Sequence, residues 1–103
     1  MKILFCYVTC KNAKEAEELA HALVEKKTAA CSVAVHDARS FFAWKGHPQR
    51  TSESVLFLKT LPKNRKKLER EIRKMHSYET PCIIFFNAEC SEDYWRWLKN
   101  VVK

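Results

Sequence analysis

The sequence predicts an α+β fold in the order β-α-β-β-α-β, with a further helix at the C-terminal end. Three observations carry this expectation. Short apolar runs rich in aromatic and β-branched residues alternate with stretches whose apolar residues recur at helical spacing. The 103 residues leave room for one core only, so residues 1–103 are expected to form a single domain. With 47% apolar and 30% charged residues and a single glycine, the composition is that of a folded domain rather than a disordered chain.

ILFCYVT, from Ile3 to Thr9, is almost continuously apolar and reads as a buried strand. Asn12 followed by Glu15 resembles a capping box with asparagine as the cap. Ala16, Leu19, Ala20, Leu23 and Val24 then repeat at helical spacing, which predicts a helix over 13–27. ACSVAVH and SFFAW read as one long strand, bent near Asp37, and SESVLFLKT as its antiparallel partner. Gly46 and Pro48 in KGHPQR mark the hairpin connection. Pro62 opens the next helix, with Leu68, Ile72 and Met75 inward and a basic stripe outward, and PCIIFFNA is the last strand. In SEDYWRWLKNVV, Ser91 is the N-cap, and Glu92 and Asp93 sit where negative charge suits the helix dipole. Tyr94, Trp97, Leu98 and Val101 make that helix's apolar face. The order is that of the split-βαβ, or ferredoxin-like, sandwich.

Two helices cover only one face of such a sheet. Leu56 and Leu58 point to one face, Val55 and Phe57 to the other, and both sets are apolar. An exposed face would alternate apolar with polar residues, so a partner subunit is expected on the second face.

The formal charge is +7, and it is concentrated: seven basic residues between Lys63 and Lys74 stand against Glu69 and Glu71, a net of +5. Such a stripe attracts nucleic acid or anionic ligands, yet it is more commonly the solvated face of a helix, and nucleic acid is not expected as a partner. Five cysteines, an odd number without a CxxC pair, favour a reducing, cytoplasmic location. The opening MKILFCYVTCK has too short an apolar run for a secretory leader, and no segment reaches the ~20 apolar residues of a membrane span.

His76, in HSYETPCII, is the strongest single site candidate, because it stands at a helix end before Pro81 and imidazole is the commonest metal ligand. By position alone it reads more readily as a cap for the last helix carbonyls. Tyr78 and Glu79 add a hydroxyl and a carboxylate nearby. Cys6 and Cys10 share a strand face but stand about 13 Å apart, too far to hold one ion together. Trp44, Glu53 and Lys59 lie on the hairpin, the last two with the same strand parity. Nothing in the chain matches a Ser-His-Asp arrangement, GxSxG or a phosphate-cradling glycine loop, so no enzyme activity is expected.

Over nearly its full length the chain resembles the CutA divalent-cation-tolerance family. The matching marks are YVTC, EAEELAHALVEKKTAACSV, SFFAWKG, LKT, HSYETPCII and DYWRWL, in that order. The resemblance implies a homotrimer similar in architecture to the PII signalling proteins. It also implies an intersubunit cleft here comprising Trp44, Lys59, His76, Tyr78 and Glu79, with Glu53 beside them. It further implies a divalent cation as ligand, copper in some members. His76, Glu79 and Cys10 are the metal-ligand candidates, and Trp44, Glu53, Lys59 and Tyr78 the cleft candidates. The alternative is a sensor that binds an anionic metabolite or nucleotide through Lys59 and Trp44. Two departures bear on this. Ser77 replaces the proline of the family's HPYE, and the position of the copper-linked cysteine aligns with Val8, so that Cys10 lies two residues beyond it. The basic charge is also atypical for a protein that gathers cations.

Overall fold

Period-two alternation along each strand decides what faces the helices in the computed structural model, which describes Met1 to Lys103. The elements are β1 (Lys2–Cys10), α1 (Ala13–Glu25), β2 (Cys31–Trp44), β3 (His47–Thr60), α2 (Arg65–Met75), β4 (Ile83–Glu89) and α3 (Glu92–Val101). The strands form one sheet in the order β2-β3-β1-β4, and each neighbouring pair is antiparallel. This is the ferredoxin-like arrangement that the element order implied.

Cys6, Val8 and Cys10 of β1 alternate onto the same face as Leu56 and Leu58 of β3, and α1 and α2 close over them. From the helices come Ala16, Leu19, Leu23, Leu68 and Ile72, and none of these side chains is more than 1% exposed. Asn12 caps α1 as its spacing indicated, its side-chain oxygen accepting the Glu15 N–H at 2.9 Å. α1 ends two residues early in a left-handed Lys27 (φ 65°), where the Thr28 N–H returns to Leu23 O at 3.1 Å. A second, smaller cluster joins Ile3, Ala30 and Leu98 under α3.

The face away from α1 and α2 is apolar and open. Phe5 packs on Phe57 and Phe86 with ring centroids 5.4 and 4.9 Å apart, while Val33, Val35, Ile84 and Phe86 remain 42–49% exposed. β2 and β3 also outrun the sheet. The pairing of β1 with β3 stops at Cys10 and Ser54, but β2 and β3 continue together to Trp44 and His47. The resulting two-stranded arm stretches the molecule to 45 Å in a body 23 Å across. A bulge between Val35 and Ala38, with Asp37 at φ 61°, supplies the expected bend. Lys45 (φ 51°) and Gly46 (φ 80°) close the arm in the left-handed geometry of a two-residue hairpin turn.

Three expectations need correction. Pro62 begins a short 3-10 turn rather than α2 itself, which starts at Arg65. Met75 does not face inward but is 37% exposed at the end of α2. Trp97 points largely to solvent, and the partly buried Trp95 packs beside Leu98 instead. With one buried residue to shield, α3 has too narrow a seam to hide both rings.

Candidate metal centre and adjoining groove

Three elements converge where β1 ends. Cys10 is the last residue of β1, Glu15 lies in the first turn of α1, and His76 follows the last turn of α2. One sulfur, one carboxylate oxygen and one imidazole nitrogen from these residues all lie within 4.8 Å of one another.

The hydrogen bonds fix the state of each group. His76 Nε2 is 2.8 Å from the carbonyl oxygen of Thr9, and the Tyr78 N–H donates to His76 Nδ1 at 3.1 Å. A carbonyl only accepts and an amide only donates, so the ring is neutral with its proton on Nε2. The ring thus reaches across to β1 instead of capping its own helix. Glu15 accepts the Lys11 N–H on Oε1 and the Ser77 N–H on Oε2, both at 2.9 Å. Burial would raise the Glu15 carboxyl, but hydrogen bonds from Ser77 and Lys11 outweigh it and hold the group below the ordinary glutamate range. The Cys10 thiol is fully buried. Burial first, then the negative charges of Glu15 and Glu53, pushes it up to about 12.

The donor set of thiol, imidazole and carboxylate fits a borderline or soft divalent ion with one position left open. At metal–ligand distances of about 2.0–2.3 Å, tetrahedral donors stand about 3.3–3.8 Å apart, so donors separated by up to 4.8 Å would have to close by about 1 Å.

Next to the cluster runs a groove of about 750 Å³ between the arm and the segment after α2. Phe41, Phe42 and Trp44 line its arm side, and Tyr78 and Glu79 its other side. At its base Glu53, only 5% exposed, accepts the Tyr78 hydroxyl at 2.5 Å and a second hydroxyl from Ser40. Burial, reinforced by the Glu53 carboxylate, raises the Tyr78 hydroxyl. No lysine or arginine lines this groove.

The structure therefore sorts the expected residues into three places. His76 and Cys10 meet in the cluster. Trp44, Glu53, Tyr78 and Glu79 meet in the groove, so Glu79 is a rim residue rather than a third donor to His76. Lys59 joins neither. It lies six residues along β3 from Glu53, about 20 Å away, on the open face, with its ammonium 3.7 Å from Cys31 Sγ. Sequence reasoning missed Glu15, which its capping-box position made look purely structural; its closeness to strand-end Cys10 was the available signal.

A family model described as "CutA1 divalent ion tolerance protein" matches residues 4–101. The chain belongs to the CutA family. It is 35% identical to the divalent-cation tolerance protein CutA of Archaeoglobus fulgidus, over 96% of this chain and 97% of that one. The CutA protein of Thermotoga maritima is likewise 35% identical, with 97% and 99% covered. Human protein CutA is 34% identical over 94% of this chain but only 55% of its own length. Among solved structures, rice CutA1 superposes with a TM-score of 0.95 at 28% identity, covering all of this chain and 95% of that one. The A. fulgidus structure, described as a periplasmic divalent cation tolerance protein, gives 0.93 at 33% identity, with 98% and 99% covered. The two prokaryotic sequence relatives are described as divalent-cation tolerance proteins, and the solved structures share the fold of this chain.

Proposed function

We propose that this CutA protein works as a homotrimer that binds a divalent cation, copper above others, through Cys10, Glu15 and His76. The observation that carries this reading is the meeting of three metal-competent donors from three separate elements within 4.8 Å. Hard cations such as magnesium, which seek six oxygens, find one carboxylate here, whereas thiolate and imidazole suit copper and zinc. Support for the trimer comes from the open face, where an apolar surface too large for a solvated sheet asks for a second copy. Lys59 on that face would then complete the groove of a neighbour, which unites the cleft residues that one subunit keeps apart. Five free thiols support a reducing, cytoplasmic setting.

The metabolite-sensor alternative has weaker support, because within one subunit the groove presents Glu53 and Glu79, and only a neighbour's Lys59 would bring a cation to it. Native mass spectrometry before and after one equivalent of copper per chain tests the metal assignment. A trimer gaining one ion per chain is expected, and uptake should vanish in His76→Ala. Unchanged uptake in that variant would remove His76 from the site.

A further inference from the structure

We infer that metal capture at the cluster releases Tyr78 and thereby reshapes the groove, so that the two sites form one coupled device. This rests on the metal reading above and follows from the hydrogen bonds of one ring. His76 has two nitrogens, and both are engaged: Nε2–H donates to Thr9 O, and the Nδ1 lone pair accepts the Tyr78 amide. A metal bound through Nδ1 takes the lone pair that Tyr78 uses. A metal bound through Nε2 displaces the proton there, and the neutral ring must then carry its proton on Nδ1, pointing donor against donor at the Tyr78 N–H. Either route costs the Tyr78 amide its partner. Glu15 imposes no such choice, because each carboxylate oxygen keeps a second lone pair after accepting from Lys11 or Ser77.

Tyr78 is also what ties this segment to the arm. Its hydroxyl holds Glu53 on β3, its ring lies 4.9 Å from that of His76, and it walls the groove opposite Trp44. Disturbing its backbone therefore moves a groove wall, and any ligand favouring one groove shape alters metal affinity by the same factor. The groove-side consequence is local to residues 76–80 and Glu53 and calls for no change in the sheet.

Zinc serves as the probe, because it binds the same donors without oxidising thiols. Amide exchange and ¹⁵N spectra are recorded on the intact chain with and without one equivalent. Expected is uptake of zinc with exchange at the Tyr78 amide faster by about fivefold, the loss of one ordinary hydrogen bond, together with a shift of the Trp44 indole signal. In Tyr78→Phe the Trp44 response to zinc should shrink, because the link to Glu53 is gone. Zinc uptake with Tyr78 protection unchanged would overturn the coupling and leave the metal site standing. A full Trp44 response in Tyr78→Phe would overturn the route through Glu53. Absence of uptake would overturn the metal reading and this inference with it.

Discussion

Metal affinity at the cluster should climb steeply with pH, and the slope can be worked from the burial of one thiol. Cys10 is fully buried and its thiol lies at about 12, so the metal-free protein keeps it protonated throughout the neutral range. A metal that takes the sulfur as thiolate must expel that proton, and its affinity then rises tenfold for each pH unit. From about pH 6.5 to 8.5 the gain is about a hundredfold, or about 2.7 kcal/mol. Titration calorimetry with zinc in two buffers of different ionisation heat counts the released protons directly, and competition titrations across the pH range give the slope. One proton per metal and a slope near one are expected. A flat profile would show that the sulfur is not a ligand. Cys10→Ser should flatten the profile and weaken binding together.

Three further outcomes follow from the same structure. Glu15→Gln removes the charge that two backbone amides address and should cost about 1–3 kcal/mol in urea unfolding. Because the folded carboxyl lies below its unfolded value, its contribution is full above the ordinary glutamate pKa and fades as pH falls, so wild type and variant should converge in acid; a constant gap would contradict the assignment. Phe86→Asp places a charge on the open face where Phe86 is 47% exposed; sedimentation should show smaller species with an unchanged circular dichroism spectrum, and an unchanged mass would exclude this face as the interface. Lys27→Gly relieves a left-handed residue at the end of α1 and should raise stability by about 1 kcal/mol; a loss of stability would mean that the lysine side chain holds that turn.

Much of the fold was legible because the strands wrote their burial in period two and the helices in period 3.6. Leu56 and Leu58 against Val55 and Phe57 announced a sheet with two apolar faces before any strand was paired. The site was legible only in parts. His76 and Cys10 are separated by 66 positions in the chain, and nothing local indicates that the end of α2 returns to the end of β1. Glu15 carries two functions in one side chain, and the local signal showed only the helix start. Lys59 misled for the opposite reason: strand parity placed it on the correct face as Glu53, but parity says nothing about distance along the strand. Met75 and Trp97 show the limit of helical periodicity on short helices: Met75 ends α2, beyond the layer it should pack against, and Trp97 stands beside a seam that buries only Leu98.

In the proposed trimer, the arm formed by β2 and β3 past Ser54 would also make the protein a reporter of its own dilution. A two-stranded ribbon with both long edges uncovered is marginal in water, and Phe41 near its middle is 70% exposed. If the arm lies against another copy in that trimer, its order would come from the contact and its firmness would fall as subunits separate. Arg39, Lys45 and Arg50 lie along it, each a tryptic cleavage point that a clasped ribbon withholds. The rate of nicking between residues 39 and 50 should then rise as protein concentration drops through the dissociation range, converting a question of mass action into a band on a gel.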